Sequence, residues 1–446
     1  MPRPVVIENP VINSAFAEPE RYFKFDDDGI TDEILSGRRK SQYFIPIPPP
    51  RKRSKQMELE AEVLLERSQE NRLVNDLRKR LSLWRRDDYR GVTPTTRKLL
   101  VHWTRADRER RLFFCQIEAL ETLIYLTEVA PKTVDVSFIN QIRDQNEAHN
   151  PGLLRMATKM ATGSGKTVVM SMIIAWHVLN QDANPRAKRY GKLFLVVAPG
   201  LTIRDRLRVL KPNDPDNYYQ ALDLVPIALR PRLQQAQIVI TNFHSFKCKE
   251  NASGSKVASG TKKVLNPDGS NPFQESPEQM VNRVCREFKG KGKNIVVLND
   301  EAHHCYRQNP EKSKEKKHKG DDLKEAKKNS ESARLWISGL EAIAKKLGIK
   351  AVYDVSATPF YLKGSGYPEG TLFPWVVSDF SLTDAIECGI VKVPRVPVAD
   401  DRMRGELPMY RHIWPQVREA LPKKGRRSQE SRAAFADNAR FELRVW

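Results

Sequence analysis

Two glycines, a lysine and a threonine close the run Met160-Ala-Thr-Gly-Ser-Gly-Lys-Thr167. These residue types in this order suit the binding of a polyphosphate. Thr162, Gly163, Ser164 and Gly165 form a loop whose backbone N–H groups can curl around phosphate oxygens. Lys166 reaches the β and γ oxygens, and Thr167 offers a hydroxyl to magnesium. The run departs from GxxxxGK[ST] at its first position, where Met160 stands in place of glycine. A second run, Ile295-Val-Val-Leu-Asn-Asp-Glu-Ala-His-His304, ends an apolar strand pattern in two adjacent carboxylates. Asp300 is suited to hold the magnesium, directly or through water, and Glu301 to polarise an attacking water as general base. Paired carboxylates at a sheet edge are by themselves no more than helix-capping charge. Beside a phosphate loop they point to nucleoside triphosphate hydrolysis, with Lys166, Asp300 and Glu301 as the catalytic set.

Other constellations are weaker. His303, His304 and Cys305 are consecutive, so their side chains diverge, and no second ligand pair is spaced to complete a zinc site. An EF-hand loop with Gly29 at its sixth position would start at Lys24 and end at Leu35, neither of which ligates calcium. The five cysteines are odd in number and widely spaced, as expected of reduced thiols rather than a disulfide framework.

These residues need strands and helices to hold them. A strand-like run precedes the phosphate loop, and the apolar stretch Val168–Leu179 that follows reads as a helix. Leu193–Ala198, Ile238–Thr241, Ile295–Asn299 and Ala351–Val355 are short and apolar, the pattern of strands buried on both faces, so the middle of the chain reads as a parallel α/β sheet. Met57–Trp84 carries apolar residues at helical spacing (Val63, Leu64, Leu73, Val74, Leu77, Leu81) without proline or glycine. It predicts one long amphipathic helix, and a second is expected over Arg111–Leu126. Residues 1–56, with an acidic patch and the run IPIPPPRKRSK, read as an irregular arm. Polar stretches near 250–275 and 307–333 read as surface loops.

The chain has 446 residues, of which 40% are hydrophobic and 29% charged, and its 76 lysines and arginines against 55 acids give a net charge of +21. That balance favours a polyanionic partner. The longest apolar stretch is shorter than the ~20 residues that span a bilayer, so no membrane partner is expected. The amino terminus shows neither a signal peptide nor a lipidation motif, and a cytoplasmic location is the expectation.

Motif order extends the argument. MATGSGKT, Asp300-Glu-Ala-His303 and Ser356-Ala-Thr358 resemble motifs I, II and III of superfamily-two helicases, specifically the DEAD/DEAH-type motor lobe shared by UvrB and the Res subunits of type III restriction enzymes. The resemblance covers about Arg111 to Pro394. It implies a RecA-like parallel β-sheet flanked by helices, with ATP and Mg²⁺ as cofactors. Gln116, in RLFFCQIEAL, would read the adenine edge, while His303, Ser356 and Thr358 would couple nucleotide state to a partner lobe. Val197-Ala-Pro-Gly200 with Thr202 and Arg204 is similar to motif Ia, and Thr241-Asn242 to motif Ib; these four polar residues would touch a nucleic-acid backbone.

The implied function is an ATP-dependent DNA helicase or translocase motor lobe, acting on duplex or single-stranded DNA. The alternative is a DNA-binding or assembly module with vestigial hydrolysis. Only 88 residues follow Thr358, against the ~150 of a typical domain, and no motif V or VI is found. The expectation is therefore that a second lobe and a nuclease are absent and that hydrolysis by this chain is weak. Partners could then include a separately encoded second lobe, a methyltransferase or a nuclease subunit. Asp268 and Glu287-Phe-Lys289 superficially match a PD-(D/E)xK nuclease, but the first lies in a polar insertion and the second in a basic helical stretch, so no nuclease site is assigned. The expected organisation is an arm (1–56), a helical extension (57–110), the motor lobe (111–394) and a basic tail or linker (395–446).

Overall fold

The computed structural model describes residues 7, 9–26, 29–44, 68–200, 205–249, 275–309 and 321–393. The chain divides into two units, Met1–Lys392 and Val393–Trp446. The architecture below is that of the first. The basic tail expected at 395–446 lies outside the described residues, as do the proline-rich run and nearly all of the 250–275 insertion.

The amino-terminal arm is more ordered than its composition suggests. Strands β1 (Arg21–Asp26) and β2 (Gly29–Ser36) pair antiparallel, with Arg21 opposite Ser36 and Phe25 opposite Ile30. A short β3 (Gln42–Phe44) pairs antiparallel with β4 (Ser68–Glu70). The arm is held by a distant part of the chain: Phe23 N–H donates to the Glu387 carboxylate, 364 residues away, at 3.1 Å. Ile12 and Asn13 both donate to the Glu387 carbonyl. Local pattern cannot register such a partner, which is why the segment reads as irregular.

Helix α1 (Arg72–Arg86) corrects the long helix expected from Met57. Residues 68–70 are extended, and Asn71 caps the helix by accepting from Val74 N–H, the usual task of asparagine at that position. Leu73, Val74, Leu77 and Leu81 are buried as their spacing requires, whereas Val63 and Leu64 lie outside the described residues. Helices α2 (Pro94–Thr104), α3 (Phe114–Ile124) and α4 (Val136–His149) follow. Residues Tyr125–Val129 continue α3 as a π-helical turn.

The rest of the unit alternates strand and helix: β5 (Arg155–Met160), α5 (Lys166–Ala183), β6 (Leu193–Ala198), β7 (Gln237–Asn242), α6 (Pro277–Val284), β8 (Ile295–Asp300), α7 (Asp321–Leu347), β9 (Ile349–Ser356), β10 (Val376–Phe380) and α8 (Leu382–Glu387). Strands β5 to β10 form one six-stranded sheet in the order β10-β5-β9-β8-β6-β7, parallel throughout. This is the RecA-like α/β arrangement. Because strand side chains alternate, each face has its own core. Phe194, Val196, Val296, Leu298 and Tyr353 pack with α3 and α5 on one face. Leu195, Val197, Val297 and Val352 pack with α6 and α7 on the other. Helix α5 is buried nearly all round from Val169 to Asn180, as its unbroken apolar run demands.

Two expectations change here. The polar stretch 307–333 is not wholly loop, because residues from Asp321 onward form the first turns of the 27-residue helix α7. Its charged residues occupy the solvent face while Ala326, Ala333, Trp336, Leu340 and Ile343 are buried. The edge strand β10 was not anticipated; its five residues VVSDF are all buried, but the run is too short and mixed to stand out in sequence. Among the described residues no helix is long and apolar enough to cross a membrane.

Candidate nucleotide and motor site

In a parallel sheet the loops that leave the carboxyl ends of the strands gather along one edge, where ligands of this class of fold bind. Register decides which loops meet. Lys159 of β5 lies opposite Ser356 of β9, and Asp300 of β8 lies opposite Val355 of β9. The phosphate-type loop, the Ser356–Thr358 turn and the carboxylate pair therefore emerge level from three adjacent strands. Ala198 of β6 and Asn242 of β7 are level too, farther along the same edge.

The loop after β5 turns through Gly163 and Gly165, both at φ +88°, a left-handed conformation that glycine adopts at little cost. A Cβ at Gly165 would also press on the Gln116 amide, which would have to move. That amide donates to the Ser164 carbonyl at 3.0 Å, while Gln116 Oε1 accepts from Phe113 N–H at 3.1 Å. Both ends of the Gln116 amide are thus engaged, and the residue ties the start of α3 to the loop. Ser164 is buried, its hydroxyl donating to the Ala161 carbonyl at 2.6 Å. Helix α5 begins at Lys166 with Gly165 as its cap and no side-chain partner for its first amides, so those N–H groups and the helix dipole face the loop.

Across the edge, Lys166 Nζ forms an ion pair with Glu301 Oε1. Glu301 has φ +51° and ψ +49°, a conformation uncommon outside glycine and one that stores strain. It turns the chain sharply after β8, and the Glu301 carboxylate meets Lys166. The Asp300 carboxylate accepts from Glu301 N–H at 3.1 Å and has no ion-pair partner among the described residues. Burial lifts its pKa to about 6; Lys166 opposes that rise and Glu301 adds to it. Arg206, two positions beyond the Arg204 selected by resemblance, also acts on this carboxylate with its positive charge. The Thr167 hydroxyl has no protein partner among the described residues. A carboxylate with no ion-pair partner and a hydroxyl with no hydrogen-bond partner, among the described residues, fit the oxygen-ligand preference of a hard divalent cation.

His303 connects this pair to β9. Its Nδ1 lies 3.1 Å from Ser356 Oγ and 3.5 Å from Glu301 Oε2, and Ser356 Oγ also accepts from Thr358 N–H at 3.2 Å. Burial, then the neighbouring His304, lowers the His303 pKa to about 4, so the ring is neutral at pH 7. Lys166, Asp300, Glu301, His303, Ser356, Thr358 and Gln116 therefore belong to one connected edge. Thr241 and Asn242 do not join it. Both are buried, and Asn242 Oδ1 accepts from Ser245 N–H at 3.2 Å to cap the turn Phe243–Phe246. Thr202 and Arg204 lie outside the described residues.

Beneath the edge lies a network that sequence reading missed. Asp354, fully buried, accepts from Arg155 Nε at 2.8 Å, Asn299 Nδ2 at 2.8 Å and Trp375 Nε1 at 2.9 Å. It joins β5, β8 and β9 directly below the residues described above, since Asn299 precedes Asp300 and Asp354 stands two positions before Ser356. The one signal was a carboxylate inside the otherwise apolar run Ala351–Val355.

No curated protein and no solved structure matches the chain. Residues 109–360 match the family described as type III restriction enzyme, res subunit. The match spans more than half of the chain and contains the phosphate-type loop, the carboxylate pair and the Ser356–Thr358 turn. The chain belongs to the type III restriction enzyme res-subunit family, and the sheet edge lies within its helicase-like motor domain.

Proposed function

We propose that this chain binds ATP with magnesium at the edge formed by β5, β8 and β9, hydrolyses it, and couples the hydrolysis to DNA. The observation that carries the reading is the contact between Lys166 of the phosphate-type loop and Glu301 of the carboxylate pair, two groups 135 residues apart. Lys166 and the first amides of α5 bind and orient the triphosphate by opposing its charge. Thr167 and Asp300 are the residues that would hold magnesium, which when bound offsets phosphate charge. Glu301, released from Lys166 as that lysine turns to phosphate, is free to accept a proton from the attacking water. The strained turn at Glu301 fixes where that carboxylate stands.

His303 Nδ1 is hydrogen-bonded to Ser356, whose hydroxyl also accepts from Thr358 N–H, and it lies 3.5 Å from the Glu301 carboxylate; this line of contacts supports a coupling role for His303, Ser356 and Thr358. A change in Glu301's partner reaches the loop after β9 through a neutral imidazole. DNA contact is assigned to the loops that follow β6 and β7, with buried Thr241 and Asn242 setting the course of the second. The excess positive charge supports a polyanionic partner.

Calorimetric titration of the full chain with ATP and magnesium, followed by hydrolysis assays with and without DNA, tests this reading. Binding that Lys166→Ala abolishes, and turnover that DNA accelerates, are the expected results. Equal affinity in wild type and Lys166→Ala refutes the site.

A further inference from the structure

A second basic site lies away from this edge. Arg38, Arg39 and Lys40, which follow β2, face Arg78, Lys79 and Ser82 of α1 across a cleft of about 500 Å³, a size within the range of ligand sites. Glu18 and Glu70 also line it, leaving five cationic side chains against two carboxylates. Every described residue lining it precedes residue 109, where the family match begins.

The charges in the cleft are unequally matched. Arg38 forms ion pairs with Glu118 at 2.5 Å and Glu18 at 3.1 Å. Arg39 pairs with Glu387 and lies 3.6 Å from Asp384. Arg78 is different. It donates to the carbonyls of Arg39, at 3.0 Å, and Asp379, and no carboxylate among the described residues lies within ion-pair distance of it. Its Nε is buried without a hydrogen-bond partner. Burial, then the nearby Arg38 guanidinium, pushes its pKa below the ordinary arginine value, against the opposing charges of Glu118, Asp379 and Asp384. A guanidinium withdrawn from water, with Glu118, Asp379 and Asp384 acting on it only from beyond ion-pair distance, is costly, and an anion entering the cleft would relieve that cost. At the rim, Lys40 and Lys79 have side chains 72% and 76% exposed, and their pairs with Glu70 and Asp76 are surface contacts. Such pairs are weak, so both lysines can turn to a ligand. Forked arginine donors with mobile lysines match the tetrahedral oxygens of phosphate.

We propose that this cleft binds phosphate, with Arg78 as its fixed donor and Lys40, Lys79 and Ser82 closing on the group, and that the phosphate belongs to a nucleic-acid strand lying along α1. The site does not depend on ATP hydrolysis. It adds a backbone contact outside the motor motifs, attached through the Asp379 carbonyl to β10, the strand beside the phosphate-type loop.

Hydrogen exchange of the full chain, measured with a twelve-nucleotide single strand and separately with inorganic pyrophosphate, tests the proposal. Slowed exchange over 38–42 and 75–83 with the oligonucleotide is the expected result. Slowing with pyrophosphate alone keeps the phosphate site but overturns the nucleic-acid source. No slowing in these peptides with either probe overturns the proposal. Binding of the same oligonucleotide across salt concentrations provides the second measurement. Arg78→Gln should reduce the slope of log affinity against log salt by about 0.7, the single-strand value for one phosphate contact, and weaken binding uniformly across sequences. Lys40→Ala/Lys79→Ala, confined to exposed side chains, should flatten the slope further even where Arg78→Gln compromises folding; an unchanged slope in this double variant counts against the site. Protection near β7 without protection of the cleft separates a failure here from a failure of the motor reading.

Discussion

Glu301→Gln should make ATP bind more tightly while hydrolysis nearly stops. In the structure Lys166 is not free, because it is paired with Glu301, so nucleotide must break this pair before the lysine can meet phosphate. The side chains are 13% and 28% exposed, which places the pair near the upper end of the surface range, at about 1 kcal/mol. Glutamine removes the charge but keeps the shape, so about 1 kcal/mol returns to binding, roughly a fivefold gain in affinity. Loss of repulsion between carboxylate and triphosphate acts in the same direction. Removal of the general base should lower turnover by about 10²–10⁴-fold. Calorimetry with ATP and magnesium, paired with a phosphate-release assay on the same preparations, measures both quantities. Equal or weaker binding by Glu301→Gln would refute the claim that the Lys166–Glu301 pair opposes nucleotide. Unimpaired turnover would remove Glu301 from the chemistry.

Arg155→Ala should destabilise the fold by about 3–5 kcal/mol, since it leaves Asp354 buried without its cation; urea denaturation checks this, and a loss below 1 kcal/mol contradicts the role given to the network. Glu118 provides a pH test. Burial raises its pKa, but the Arg38 guanidinium, with Arg78 and Arg85, more than offsets this and holds it at about 2, against an ordinary 4.5. A depressed folded-state pKa gives stability that is fully present above the ordinary value and lost as pH falls toward 2. The wild type should therefore lose about 3 kcal/mol through this group between those limits, and Glu118→Gln should flatten that part of the stability profile. Ser356→Ala removes the hydroxyl shared by His303 and Thr358. It should leave ATP affinity within about twofold, because the hydroxyl is not placed on phosphate, while the stimulation of hydrolysis by DNA falls about tenfold or more, the effect of about 1.4 kcal/mol of coupling; equal stimulation in the two proteins would exclude the coupling route.

The residues able to do chemistry were legible because their chemistry is local. A phosphate-type loop needs its glycines and lysine within eight consecutive positions, and two carboxylates closing an apolar strand announce themselves. Four of the six sheet strands were legible as apolar runs for the same reason, since strands buried on both faces leave little choice of residue. Tertiary structure decided what those residues meet. Register between β5, β8 and β9 brings Lys166 to Glu301 and His303 to Ser356, and no spacing along the chain encodes register across a sheet. Gln116 carries an amide suited to a base edge, yet packing fits that amide between Phe113 N–H and the Ser164 carbonyl. Asn242 likewise became a cap. The arm's strands were not legible because it is held by distant partners: Phe23 N–H donates to the Glu387 carboxylate and Ser41 Oγ to the Asp379 carboxylate, each more than 300 positions away. The position of Arg78 belongs to the same class: a sequence reports how many arginines a protein has, and only the folded chain determines which of them has no carboxylate within ion-pair distance among the described residues.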